Sequence, residues 1–243
     1  MRTIADQSID DLGGPGSALE RQRRDHVELD RLLERCANSE GQELEEALNQ
    51  TWRLVFSLAF AEEAVLWTAV RRVLDDGESL TRQVEQEHQQ INELVLALER
   101  SGPDAPGRQA LLDRIVAPLR EDVRDEEDVL LPRLQEALDA PTLNRLGRSW
   151  ELVRRTAPTR PHPVVSRRPP GNVLAALPLT MIDRGRDVLD RQARRRSGRL
   201  AEVSRQASRR LLGVANVIEQ LPPLRRGEHP STVATGGPPP KQP

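Results

Sequence analysis

The sequence predicts an all-α protein built around an up-down-up-down four-helix bundle. Apolar residues recur at helical spacing through residues 17–156. Short stretches rich in Gly, Pro, Asn or Asp separate the periodic segments. The pattern of the first helical pair also returns in the second pair. Four long helices joined by short turns pack most simply as a bundle.

Composition favours one domain with extensions. Only 37% of the 243 residues are hydrophobic, 30% are charged, and most of the 19 prolines follow Pro158. The apolar material for a core therefore belongs to the first part of the chain. The formal net charge of -2 argues against a protein that binds nucleic acid with its whole surface, so no nucleic-acid partner is expected.

Cys36 is the only cysteine, which excludes an internal disulfide and a thiolate metal cluster and favours a reducing compartment. The N-terminus is acidic and lacks the apolar segment of a secretory signal. No apolar run approaches the roughly 18 residues that span a bilayer. The expected protein is soluble and cytoplasmic.

The first helix is predicted at 18–37, after a disordered lead at 1–16. Ser17 and Glu20 form a Ser-x-x-Glu capping box, which marks a helix start. Leucines at helical spacing form its apolar stripe, and His26 lies on the same face.

The second and third helices are predicted at 42–74 and 78–100, with a turn at 75–77 between them. Each stripe carries one residue that an apolar core does not explain. These residues are Glu62 in the second helix and His88 in the third.

The fourth helix is predicted at 108–139, with Asp122 and Glu126 one turn apart on its apolar face. Pro118 and Pro132 each remove a backbone donor, so we expect kinks there, and Pro118 could divide the helix.

A short fifth helix at 142–155 completes the bundle unit, 17–156. Prolines force an extended linker at 157–172, and a helical extension follows at 173–220. The Pro-rich tail at 221–243 is expected to be disordered.

The extension has an arginine-dense centre but also contains acidic residues such as Asp183 and Asp187, which favours a solvated amphipathic helix. This arm is the candidate contact for a protein partner or an anionic surface. His162 and His229 lie in Pro-rich segments and are interpreted as linker residues.

The repeat places potential metal ligands at equivalent stripe positions. Glu62-Glu63 corresponds to Glu126-Glu127, Asp25-His26 resembles Glu87-His88, and Leu58 falls opposite Asp122. Five residues are the predicted metal ligands: His26, Glu62, His88, Asp122 and Glu126. Buried carboxylates need one another, a partner or a cation, and imidazole with carboxylate suits iron, manganese or zinc.

Other interpretations of these side chains remain open. The histidines could be core residues satisfied by nearby carboxylates, and the stripe glutamates could pair with arginines. Asp122 is balanced between a ligand and a surface residue. Glu63 and Glu127 are expected to be solvated. Glu85 forms Glu-x-x-His with His88, the pairing of ferritin-like centres, and is a weaker candidate.

The motifs Asp25-His26, AEEAVLW, Glu87-His88 and RDEEDVLLPRL resemble the hemerythrin-like, or HHE cation-binding, family over roughly residues 18–140. The resemblance implies a non-haem di-iron centre with histidines on all four helices and two bridging carboxylates. By position, His26 and His88 match two of the histidines, while Glu62 and Glu126 match the bridging glutamates.

The sequence departs from the family at Leu58 and Asp122, where the family has histidines, and at Thr68, where it usually has proline. Leucine cannot ligate a metal, whereas aspartate offers an oxygen. The resemblance therefore implies a mono- or dinuclear iron centre, with manganese as an alternative metal, that binds small diatomic or peroxide ligands or senses iron. No catalytic residues are predicted. The alternatives are a degenerate bundle that has lost its metal and serves as a scaffold, and a ferritin-like oxidase centre that uses Glu85.

Overall fold

A computed structural model describes residues 2–102 and 105–232, and within these ranges the chain contains helices but no β-strand. The predicted all-α bundle is confirmed. Its first helix is α1 (Ala18–Ala37), and its third is α4 (Gly77–Arg100). The Ser17 hydroxyl accepts a hydrogen bond from the Glu20 backbone N–H at 3.1 Å, which caps α1 as its sequence predicts.

The second and fourth bundle helices each contain a π-helical turn. The second consists of α2 (Gly41–Ala61), the π segment Glu62–Leu66 and α3 (Trp67–Val73). The fourth consists of α5 (Arg108–Asp125), the π segment Glu126–Leu130 and α6 (Leu131–Ala137). Both π segments begin at a predicted ligand. A π turn inside an α-helix is uncommon and is often found at functional sites.

The prolines of the fourth helix do not divide it. Pro118 lies within α5, which continues unbroken, so a division there is not observed. Pro132 follows the second π segment directly and occupies the first turn of α6, where a missing N–H is tolerated.

Two apolar clusters fill the bundle and leave a polar layer between them. The first cluster includes Leu19, Leu66, Val84 and Leu130. The second includes Leu29, Val55, Ile91 and Leu119. Each of the four bundle helices contributes to both clusters. The predicted ligands lie between the two clusters along each helix, so apolar packing holds them on both sides.

The helix α7 (Ala140–Arg155) packs across α1 and α2. Trp150 is fully buried in the first cluster. Gly147 lies against the carbonyl group of Gly16 and the backbone of Ser17, where a Cβ atom would clash. A residue without a side chain is therefore required where α7 crosses the start of α1.

The N-terminal lead differs from the expected disorder. A 3-10 turn at Ile4–Asp6 packs on the bundle, with Ile4 and Leu12 fully buried in the first apolar cluster. The hydroxyl of Thr3 also donates to the carbonyl oxygen of Glu127 at 3.2 Å. These two apolar side chains explain the order, because they cover the edge of the core.

The C-terminal extension is a pair of helices, α8 (Gly171–Arg195) and α9 (Arg199–Glu219), that pack against each other. The predicted linker, residues 157–172, includes the first two residues of α8 and is mostly buried against the bundle and that helix, in contrast to a free linker. Asp183 explains this difference, because its Oδ2 atom accepts hydrogen bonds from the backbone N–H groups of Thr159 and Arg160 at 2.9 and 3.1 Å.

The expected disordered tail contains 3-10 turns at Pro222–Arg225 and Pro230–Thr232, and Leu224 is buried with the C-terminal helices. Residues 233–243 of that predicted tail lie outside the described residues. Among the helices of residues 2–102 and 105–232, none has the length and apolarity needed to cross a bilayer.

Candidate metal centre

The five predicted ligands converge in the polar layer of the bundle, and all five are buried. Two groups of side chains place their ligand atoms within 4.8 Å of one another. We call His26, Glu62 and Glu126 the His26 pole, and His88, Asp122 and Glu126 the His88 pole. Glu126 belongs to both. The geometry therefore matches two adjacent cation positions that share a carboxylate.

The Nε2 atoms of the two histidines face the carboxylates. The Nε2 atom of His26 lies 3.3 Å from Glu126 Oε2 and 4.0 Å from Glu62 Oε1. The Nε2 atom of His88 lies 3.6 Å from Glu62 Oε2 and 3.5 Å from Asp122 Oδ2. Glu62 thus presents one oxygen toward each histidine, which is the arrangement of a bridging carboxylate.

Asp122 is buried within the polar layer, so its interpretation as a surface residue is wrong. It lies four residues before Glu126 and points to the same face of the helix. Its counterpart Leu58 is also buried but joins the first apolar cluster. The two halves of the repeat therefore differ in polarity at this position.

Glu63 and Glu127 are not solvated as the sequence suggested. Glu63 is buried and accepts a hydrogen bond from Nδ1–H of His88 at 2.9 Å. Glu127 is half-buried and accepts one from Nδ1–H of His26, also at 2.9 Å. A carboxylate on Nδ1 fixes the ring orientation, raises the basicity of the imidazole and leaves Nε2 to face a metal.

The ionisable side chains of this layer shift one another's pKa values. Burial opposes the positive charge of both rings, yet the hydrogen bonds that the protonated His26 ring donates to Glu126, Glu127 and Glu62 raise its pKa well above its usual value. Asp122 and Glu63 do the same for the pKa of His88. Burial, then the charges of Glu62 and Asp122, raise the pKa of Glu126 to about 8. The layer holds more acidic groups than its two imidazoles balance, so a cation would relieve the repulsion.

Unpaired buried oxygens show that the residues fit a cation. Three oxygens in this layer have no hydrogen-bond partner among the described residues: Gln22 Oε1, Asp122 Oδ1 and Glu126 Oε1. Buried acceptors without partners cost about 1–3 kcal/mol each and call for an explanation such as an ion or a water. Hard oxygen donors with two imidazoles suit iron or manganese.

Gln22 is a member of this layer that the sequence did not indicate. It lies on α1 four residues before His26 and is fully buried. Its amide nitrogen donates to Glu62 Oε1 and lies 3.2 Å from Glu126 Oε2. The helical spacing from His26 is the signal that could have identified it.

A cavity of about 20 Å³ adjoins the centre. Its lining combines the site residues with apolar side chains that include Leu58, Phe56, Ile91 and Leu119. This volume is comparable to the roughly 10–15 Å³ that one water-sized molecule needs. The centre therefore has room for a very small ligand beside the histidines and carboxylates.

Glu85 does not join the site. It is fully buried, but its carboxylate lies 2.9 Å from the guanidinium of Arg71 and 2.7 Å from that of Arg168. Two arginines neutralise this carboxylate outside the polar layer, so a ferritin-like role for Glu85 has no geometric support.

The segment 157–172 reaches the back of the His88 pole. Arg167 Nη1 lies 3.7 Å from Glu63 Oε1, the same oxygen that accepts from His88. The His162 backbone N–H donates to Asn92 Oδ1 at 3.0 Å, and Asn92 lines the cavity. The segment 157–172 is thus in contact with Glu63, which positions His88, and with Asn92 at the cavity.

His162 is not a solvated linker residue. Its Nδ1 atom lies 2.7 Å from Glu219 Oε1 and its Nε2 atom 3.1 Å from Asp183 Oδ2, and all three residues are buried. Both partners come from the C-terminal helices, so His162 joins these helices to the segment 157–172. Its ring nitrogens face Asp183 and Glu219, neither of which is a predicted metal ligand, so its position is structural.

Comparisons with known proteins agree with this geometry. Residues 17–134 match a family model described as the hemerythrin HHE cation binding domain. An uncharacterized hemerythrin-like protein of Schizosaccharomyces pombe is 24% identical over 131 residues, which cover 54% of this chain and 64% of that protein. The chain therefore matches less than two thirds of the length of this curated relative. A search of solved structures found no significant match.

Proposed function

Residues 17–134 of this chain belong to the hemerythrin HHE cation-binding domain family, and from that premise we propose that the bundle holds a non-haem iron centre. The observation that supports iron best is the pair of imidazoles whose Nε2 atoms face three carboxylates. Manganese accepts the same donors and is the alternative metal.

Each proposed ligand has a distinct part. His26 and His88 would bind through Nε2, Glu62 and Glu126 would contribute at both poles, and Asp122 would complete the His88 pole. Glu63 and Glu127 hold the rings by accepting from Nδ1–H. The two apolar clusters exclude water from above and below and so strengthen these electrostatic contacts.

The ligand class follows from the cavity. A space of about 20 Å³ is of the size that one very small molecule occupies, which favours dioxygen, nitric oxide or peroxide over an organic substrate. Bound iron would supply redox chemistry and open coordination positions for such molecules. We propose a role in the response to oxygen, peroxide or nitric oxide, or in iron sensing, and no covalent reaction of a protein side chain is invoked.

Elemental analysis of the full chain, purified from iron-supplemented cells, tests this proposal. We expect bound iron that is lost in His88→Asn and retained in His162→Gln, a buried histidine outside the centre. Adding ferrous iron to metal-free protein should raise its melting temperature, because a ligand at 100 times its dissociation constant stabilises the folded state by about 2.7 kcal/mol. If the purified chain contains neither iron nor manganese, and added metal leaves its melting temperature unchanged, the result would support the degenerate scaffold instead.

A further inference from the structure

Gln22 occupies the His26 pole in a way that its sequence context did not predict. Its exposure is 0%, and it projects from α1 one turn before His26. The amide nitrogen lies 3.0 Å from His26 Nε2 and 3.2 Å from Glu126 Oε2, and it also donates to Glu62 Oε1. These are the three side chains that could hold a cation at this pole.

The amide is placed where it can exchange a hydrogen-bond donor for a metal ligand. Its Oε1 atom is buried without a partner among the described residues. Rotation by half a turn about the terminal torsion of glutamine, which has a broad and roughly two-fold energy profile, exchanges Oε1 and Nε2 within nearly the same volume. The oxygen would then face the His26 pole, and no other side chain would need to move.

A position away from the pole is much less accessible to Gln22. The side chain is enclosed on all sides, and close packing leaves little space for an alternative rotamer. A cation that enters the pole therefore meets the amide, and the amide nitrogen is not a donor of electron pairs. Presenting the oxygen brings an electron-pair donor to the cation, and the carboxylates of Glu62 and Glu126 then face the cation in place of the amide N–H.

Leu58 defines what the pole lacks. It lines the same small cavity as His26 and Glu62 but offers no ligand atom. On the opposite half, Asp122 supplies an oxygen at the equivalent position. We infer that the Gln22 amide oxygen is the ligand that replaces the one missing at Leu58, so that the His26 pole holds a second metal ion. This inference rests on the proposed metal centre and specifies its number of ions.

Metal stoichiometry tests the inference without an activity assay. Metal-free protein is titrated anaerobically with ferrous iron, desalted and analysed for bound iron per chain. We expect two ions in the wild type and one in Gln22→Leu, which keeps the bulk but removes the donor. Gln7→Leu is the matched control, because Gln7 is a buried glutamine whose amide donates to the Arg2 carbonyl oxygen and to Gln135 outside the centre. It should retain two ions.

Rescue separates a lost ligand from a general disturbance of the core. Leu58→His in the Gln22→Leu background should restore the second ion, since histidine at this position reaches the same pole. Gln22→Asn, whose amide is one methylene shorter, should also bind one ion and covers the case in which leucine prevents folding. A wild type that binds one ion, or a Gln22→Leu chain that binds as many ions as the wild type, overturns the role of Gln22. A wild type that binds none overturns the proposed function itself.

Discussion

Replacing His162 should remove a pH-dependent contribution to the stability of the C-terminal helices. Burial opposes the charge of this imidazole, but Asp183 and Glu219 outweigh burial and raise its pKa from 6.5 to about 9. The difference multiplied by about 1.4 kcal/mol per pKa unit gives a contribution on the order of 3 kcal/mol. This contribution comes from one protonated ring held between two buried carboxylates.

The sign follows from the direction of the shift. Because the pKa of His162 is higher in the folded chain, its contribution is fully present below pH 6.5. The contribution declines between pH 6.5 and 9 and is lost above that range. A neutral ring carries only one N–H, so either Asp183 or Glu219 then loses the hydrogen bond that the ring donates. The guanidinium of Arg160, which also pairs with α8, stays charged throughout this window.

The assay is amide hydrogen exchange of α8 and α9 at a series of pH values, corrected for the intrinsic exchange rate at each pH. The variant His162→Gln keeps hydrogen-bonding capacity but cannot titrate. The free energy of opening of α8 and α9 in the wild type, minus that in the variant, should fall from on the order of 3 kcal/mol at pH 6 toward zero near pH 10. The pKa of Glu126, about 8, lies in the same pH window. Subtracting the variant removes this shared pH dependence from the result. Equal pH dependence in both proteins would refute the reasoning.

Three further substitutions test other contacts. Glu63→Gln should weaken metal binding by roughly 10- to 100-fold in competition titrations, because His88 loses the carboxylate that orients it, and an unchanged dissociation constant would contradict that role. Gly147→Ala should lower the free energy of unfolding by about 1–3 kcal/mol in urea melts, whereas Gly213→Ala, a helical glycine with open space at its Cβ position, should not destabilise. Glu85→Gln should leave bound iron unchanged, since that carboxylate faces two arginines, and a loss of iron would revive the oxidase alternative.

The bundle and its five candidate ligands could be predicted because both depend on local periodicity. An apolar stripe identifies a buried face, and a charged residue on that stripe must find a partner inside. His26 and Glu62 stand out in this way in the first half of the chain, as His88 and Glu126 do in the second. The repetition strengthens the prediction, because two helical pairs with the same pattern bring equivalent positions together.

The prediction that Glu63 and Glu127 are solvated is wrong because it assumes ideal α-helices. Neighbouring residues of an α-helix point about 100° apart, so a residue beside an inward-facing glutamate is expected at the boundary of the core. The π turns that begin at Glu62 and Glu126 contain more residues per turn and reduce this angle. Adjacent glutamates can then both reach the interior, one toward the centre and one toward a histidine Nδ1 atom.

The expectation that the acidic residues of the C-terminal extension are solvated is wrong for a different reason. Its acidic residues appeared to face solvent because their partners lie outside the helix that carries them. Asp183 accepts hydrogen bonds from the backbone N–H groups of residues 159 and 160, while Asp187 forms an ion pair with the side chain of Arg160. Periodicity identifies the face of a helix but does not reveal which distant segment will cover it. The burial of a proline-rich segment is also hard to predict, because its backbone N–H groups must find acceptors on side chains of a distant helix.

The two poles of the centre differ in their surroundings as well as in their ligands. Behind the His88 pole, Glu63 is buried and lies beside Arg167 of the segment 157–172. Behind the His26 pole, Glu127 is half-buried and lines a surface groove of about 350 Å³. Solvent therefore reaches the carboxylate behind His26, whereas the opposite carboxylate is enclosed by the chain. A change in how the segment 157–172 packs would act first on Glu63 and His88, which connects this segment to one pole of the metal centre.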